Sequence, residues 1–163
     1  MSEPKGIEMR RSETPIEPVR KERRLALTPA DAFRLFTAAM GEWWPLATHS
    51  IGAEQARDVR FEERLGGRVL EITADGTEYA WADVLTWDPP ERVVLSWHPT
   101  VELLAASTID VRFAAAEAGG TLMRLEHRDW EEFGEQLGAE LRAGYEPGWD
   151  VVLAPFEERA VRA

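Results

Sequence analysis

The chain has 163 residues, 44% hydrophobic and 30% charged, with a net charge of −11 and no cysteine. The missing cysteines exclude disulfides, thiolate metal sites and a Cys nucleophile, and the acidic balance argues against general nucleic-acid or anionic-membrane binding. No apolar run approaches the roughly 20 residues that cross a bilayer, and the N-terminus lacks the apolar core of a signal peptide, so a cytoplasmic protein is expected.

Residues 1–16 (MSEPKGIEMRRSETPI) are polar, contain two prolines and show no period, which predicts a disordered tail before a single domain over 17–163. From Glu17 to Leu27 the alternation of Val19, Lys21, Arg23, Leu25 and Leu27 reads as a first strand with a charged outer face. Thr28-Pro29-Ala30-Asp31 is a helix start, with Thr as N-cap, Pro at the first position and Asp in the first turn. Phe33, Phe36 and Met40 make its apolar face, and Gly41 ends it. Glu42-Trp43-Trp44-Pro45 begins a turn or a second small helix, and 46–54 reads as loop.

Strands follow. Val59, Phe61 and Glu63 alternate with charged residues, Leu65-Gly66-Gly67 turns the chain, and Arg68 to Thr73 returns. Asp75-Gly76 is a hairpin signal before a long strand from Glu78 to Trp87. Asp88-Pro89-Pro90-Glu91 breaks that strand, and Arg92 to His98 follows with Val93, Leu95 and Trp97 on one face. Thr108 to Ala114 points Ile109, Val111 and Phe113 inward and Asp110 and Arg112 outward. After Gly119-Gly120, Thr121 to His127 places Met123, Leu125 and His127 on one face. The chain closes on a helix from about Gly138 to Arg159, with a stripe through Leu141, Tyr145, Trp149, Val152, Leu153 and Phe156. Gly144, Pro147 and Gly148 interrupt the stripe and predict a bend or break near Glu146–Gly148.

Consecutive strands joined by tight turns make an antiparallel meander, and one long helix must cover its face. The reading is a helix-grip α+β fold: a curved seven-stranded antiparallel sheet around a long C-terminal helix. This order, the Gly66-Gly67-Arg68 hairpin, the Asp-Pro-Pro-Glu-Arg turn at 88–92 and Gly148-Trp149 in the last helix resemble the SRPBCC (START/Bet v 1-like) superfamily. Trp-Trp-Pro at 43–45, Thr-His-Ser-Ile-Gly at 48–52 and His-Arg-Asp-Trp-Glu at 127–131 look like its activator of Hsp90 ATPase homologue branch. The resemblance covers roughly residues 18 to 160. It implies a cavity between sheet and helix that holds an apolar or amphipathic small molecule. Some relatives are cyclases or hydrolases, and the branch name comes from a co-chaperone.

The grip between sheet and helix is therefore the expected site. Residues expected to face it are Phe61, Trp97, Phe113, Met123 and His127 from strands, Trp44 and His49 from the loop, and Tyr145, Trp149 and Leu153 from the helix. Seven tryptophans suit an aromatic-lined interior, although the same rings would also serve a closed core. Of the three histidines only His127 lies in line with an apolar strand face, where it would bond a ligand or act as an acid or base. Glu71, if inward, would be a buried general acid or base, or the partner of an inner Arg such as Arg68. A Ser-His-Asp set can be assembled on paper from Ser50 or Ser107, His127 and Asp83, with no Gly-x-Ser-x-Gly elbow behind it. No metal or cofactor is expected, because no ligand spacing stands out. The leading expectation is a hydrophobic or aromatic small-molecule binder, monomeric or homodimeric. The alternatives are a cyclase- or hydrolase-like enzyme using His127 with an inner carboxylate, and a co-chaperone-like interaction module.

Overall fold

The structure is a computed structural model, and residues 10–162 are described. The expected tail falls in part on residues 1–9, which lie outside them. Within 10–16, the Ser12 amide donates to the Glu131 carbonyl at 2.7 Å and the Ile16 amide to Glu131 Oε1 at 2.8 Å, which ties this stretch to the domain.

Seven strands form one antiparallel sheet in the order β1-β7-β6-β5-β4-β3-β2. They are β1 (Val19–Leu25), β2 (Ala56–Phe61), β3 (Arg68–Thr73), β4 (Glu78–Asp88), β5 (Arg92–Trp97), β6 (Ser107–Ala115) and β7 (Thr121–Arg128). Six form the expected meander, and β1 closes the sheet beside β7 with Val19 opposite His127 and Leu25 opposite Thr121. Register shifts at Ala56/Asp58, Val69/Leu70 and Val84/Thr86 bend the β2–β5 half. Such bulges increase local twist and let a sheet curl around a helix. The inward parity of β5, β6 and β7 is as the alternation predicts: Val93, Leu95, Trp97, Ile109, Val111, Phe113, Met123, Leu125 and His127 are all buried.

The helix α1 (Pro29–Phe36) starts at its predicted cap, where Thr28 Oγ1 accepts from the Asp31 amide. It ends four residues before Met40, and a 3-10 turn over Met40–Glu42 carries the chain to Trp43 and Trp44. The helix α2 (Glu135–Arg162) starts and ends three residues beyond the expected bounds. The predicted break near Glu146–Gly148 does not occur, since the helix continues through Pro147 and Pro155. Pro147 is exposed, whereas Trp149, Val152, Leu153, Phe156 and Ala160 beyond it are buried. Burial of that face outweighs a local backbone cost, as is general for helices inside proteins.

β1 adds charge pairing to this packing. Lys21 Nζ reaches Asp150 Oδ2 at 3.0 Å, and Arg23 reaches Asp150 Oδ1 at 2.8 Å and Glu157 at 3.2 Å. Both cations hold the Asp150 carboxyl below its usual range. On the sheet's other face Asp110 is buried beneath Arg92, a bidentate partner at 2.7 and 3.0 Å, and Arg128 at 2.9 Å. Among the described residues no helix is long and apolar enough to cross a membrane. No group of three or more His, Asp or Glu among them is placed to hold a metal.

Candidate functional site

Sheet and helix do not close on each other along their whole length. A recess of about 460 Å³ remains between the middle of α2, the ends of β4 and β5, and the loop after the 3-10 turn. Trp44, Trp81, Trp97 and Trp149 wall it, and Gly144, Tyr145 and Gly148 form its helix side. Exposed Ile51, Thr100 and Glu140 stand at its mouth, and His49 and Ser50 line the loop side.

The four indoles form one cluster, with Trp44 at 5.0 Å from Trp81, 5.9 Å from Trp97 and 6.2 Å from Trp149 between ring centroids. An indole has a single donor and no acceptor. Each of these donors is held by the protein: Trp44 by the His49 carbonyl at 2.7 Å, Trp81 by Glu71 Oε1 at 3.1 Å, Trp97 by the Tyr145 hydroxyl at 2.9 Å and Trp149 by His127 Nδ1 at 3.0 Å. The walls therefore present aromatic carbon to the recess and fix each ring by its polar edge.

Glu71 is the brace behind the loop side. It is fully buried; Oε1 accepts from the Ile51 amide at 2.7 Å and from Trp81, and Oε2 accepts from the Gly52 amide at 2.7 Å. The approach is tight enough that a Cβ on Gly52 would lie 2.8 Å from Oε2. Arg68 is not its partner. The two are three positions apart on a strand, which puts them on opposite faces, and exposed Arg68 lies 3.6 Å from Glu62.

His127 also braces rather than faces the recess. Trp149 can only donate, so His127 Nδ1 carries no proton, and Nε2–H donates to Ser107 Oγ at 2.7 Å. Trp130 and Tyr145 flank the ring at 4.2 and 4.7 Å, and burial pushes its pKa down to about 3. The imidazole is neutral near pH 7 with both nitrogens engaged. Of the Ser-His-Asp set, the serine contact with Ser107 forms, but Asp83 bonds His98 Nε2 at 2.7 Å instead. His98 is half-buried. His49 keeps Nδ1 on Thr48 Oγ1 at 2.7 Å.

Of the ten residues expected at the site, Trp44, His49, Trp97, Tyr145 and Trp149 line the recess together. Phe61, Phe113, Met123, His127 and Leu153 do not. Their inward parity was right, but other side chains pack over them: Phe113 meets Phe33 at 5.5 Å and Phe36 at 6.0 Å from α1, Phe61 meets Trp87 of β4 at 5.9 Å, and His127 lies between Trp130 and Tyr145. Sequence reading missed Trp81, whose side of β4 depends on a bulge, and the two glycines, whose i, i+4 spacing on the Tyr145 face was a usable signal.

The family model described as activator of Hsp90 ATPase homolog 1-like protein matches residues 26–160. Among solved structures, an anthrahydroquino-γ-pyrone synthase, Txn09, complexed with SUM is similar at 29% identity and TM-score 0.58, covering 88% of this chain and 97% of that one. A protein from Rhizobium leguminosarum is 26% identical with TM-score 0.59, covering 90% and 95%. The Aha1 dimer from Colwellia psychrerythraea shares the fold at 15% identity and TM-score 0.63, covering 88% and 95%. A search of curated proteins returns no match.

Proposed function

We propose that this chain, which belongs to the activator of Hsp90 ATPase homolog 1-like family, binds a hydrophobic aromatic small molecule in the recess under α2. The observation that carries the reading is a set of four indoles whose N–H groups are all turned into the protein, around a space bordered on the helix by two glycines. The volume of about 460 Å³ falls in the ~300–1,000 Å³ range of ligand pockets. Stacking on indole faces favours a flat ring system, and Tyr145, His49 and Thr100 offer the few polar contacts that orient it. The synthase Txn09, solved in complex with SUM, matches 88% of this chain.

An enzyme built on His127 with Glu71 is less well supported. Three strands separate β7 from β3 in the sheet, and each side chain is fully engaged by different partners. An interaction module is not favoured either, because the large exposed apolar side chains lie apart in the fold, with Leu65 at a hairpin, Leu85 and Tyr79 on β4, Val101 and Leu104 in the loop after β5, and Val151 and Val161 on α2.

The test is a titration with the apolar fluorophore N-phenyl-1-naphthylamine, followed by quenching of tryptophan emission. Saturable quenching in the native chain and its loss in Gly144→Leu, which fills the recess from the helix side, are the expected results. No quenching, or quenching indifferent to the leucine, would remove the reading.

A further inference from the structure

Behind Tyr145 lies a second, much smaller chamber of about 30 Å³, lined among others by Trp97, His98, Ser107, Trp130, Leu141 and Tyr145. Trp97, Thr100, Leu141 and Tyr145 also line the recess, so the two spaces adjoin across the Trp97–Tyr145 hydrogen bond. A space of this size holds about one oxygen-sized group, since roughly 10–15 Å³ is the minimum for a water.

Two hydroxyls share this chamber, and their hydrogens are directed by the same logic. The Tyr145 oxygen accepts from Trp97 Nε1–H at 2.9 Å. Ser107 is 2% exposed, and its oxygen accepts from His127 Nε2–H at 2.7 Å, because Trp149 forces the histidine tautomer from the other side. Each hydroxyl has thus used an acceptor position on a ring N–H and keeps its own hydrogen to donate. Among the described residues no protein atom accepts either hydrogen. The rest of the lining is apolar at Trp130, Phe133 and Leu141 and polar at His98 and Thr100. Tyr145 is half-buried, whereas Ser107 is a buried donor without an acceptor, which is costly. The chain Trp149–His127–Ser107 further polarises the serine hydroxyl, as linked hydrogen bonds strengthen one another.

We propose that this chamber is the polar end of the ligand site, where Ser107 and Tyr145 together donate to one carbonyl oxygen of the bound aromatic molecule. A carbonyl fits because it brings two lone pairs to two donors and no hydrogen of its own. The ligand class is therefore a flat aromatic ketone, with its rings on the indoles and its oxygen behind Tyr145. This rests on the binding reading above. His127 is then a positioning residue that sets the direction of the Ser107 hydroxyl.

The experiment pairs xanthone with xanthene, which has the same three rings and a methylene in place of the carbonyl. Tryptophan quenching by both is measured on the native chain, Ser107→Ala and Tyr145→Phe. Two added hydrogen bonds predict xanthone binding about 5- to 100-fold tighter than xanthene. Each variant should reduce that preference, the ratio of the two affinities measured on the same protein, by about 3- to 10-fold. The carbonyl stretch of bound xanthone in the native chain, which needs no variant to fold, should lie below that of xanthone in hexane. Equal affinities for the two compounds, an unshifted stretch, or variants that weaken both compounds alike would overturn the subsite while leaving the recess as a binding site. Failure of both compounds to bind would overturn the binding reading itself.

Discussion

The helix α2 carries two different surfaces toward the same sheet. From Leu153 onward its inward side chains are Leu153, Phe156 and Ala160, all buried, with Phe156 meeting Trp43 at 5.0 Å and Phe36 at 5.7 Å. One turn earlier the same face presents Gly144, Tyr145 and Gly148 opposite the indoles, and there the recess begins. The sheet is aromatic at both ends, so the difference lies in side-chain volume on the helix. The closed end carries stability, and the open end retains aromatic surface for something else.

The sharpest way to break this comparison is to truncate the closed end. Phe156→Ala removes a fully buried ring that touches two others, and should cost about 3–5 kcal/mol in urea unfolding. Ligand affinity, extrapolated to the folded fraction, should change little. A loss of affinity on the same scale as the loss of stability would mean that the two surfaces act as one.

At the boundary, His127 links stability to pH. Its folded pKa, about 3, is depressed from 6.5, so between these values the unfolded chain binds the extra proton. Its contribution is therefore complete above about pH 6.5 and is lost as pH falls toward 3, on the order of a few kcal/mol in total. Asp110, also held low by Arg92 and Arg128, acts in the same direction at lower pH, because the ordinary carboxyl value is 3.8. Unfolding measured between about pH 6.5 and 4.5 should thus weaken with acid in the native chain and stay nearly flat in His127→Gln. Equal slopes would show that the histidine is already accessible to protons.

Glu71 braces the open end by its loop. In Glu71→Gln an amide nitrogen must face donors that now meet a carboxylate oxygen, from Ile51 and Trp81 or from Gly52. The expected cost is about 2 kcal/mol, with faster hydrogen exchange at the Ile51 and Gly52 amides. Protection that does not change would place the loop's order elsewhere.

How far these surfaces were legible in the sequence depends on the range of the signal. The seven strands, the Thr28 cap and the inward parity of β5 to β7 rest on local alternation and turn chemistry, and they stand, with β3 to β7 within one residue at each end and β2 shifted to Ala56–Phe61, short of Glu63. The family follows from motifs of the same kind. The position of the recess does not, because parity says which face a side chain takes and not which part of that face a helix covers. Phe113, Met123 and Leu153 point inward and lie under packing. His127 points inward as well, but only the tertiary contact with Trp149 fixes its tautomer. Trp81 escaped because the β4 register shifts at Val69/Leu70 and Val84/Thr86, and bulges leave little mark in a sequence.

Gly144 and Gly148 give the smallest effect and the most specific one. Glycine inside a helix costs about 1 kcal/mol relative to alanine, and a Cβ built on either residue meets nothing within 4 Å. Neither crowding nor a positive φ therefore requires glycine there, since neither residue is among the glycines with positive φ. Gly144→Ala and Gly148→Ala should each stabilise the protein, by about 0.5–1 kcal/mol. Each adds one methyl to the helix side of the recess, so binding of N-phenyl-1-naphthylamine should weaken while the midpoint of unfolding rises. Opposite signs in the two measurements would tie the glycines to the open surface rather than to the helix. If alanine raises stability and leaves affinity untouched, the recess owes its shape to the indoles alone.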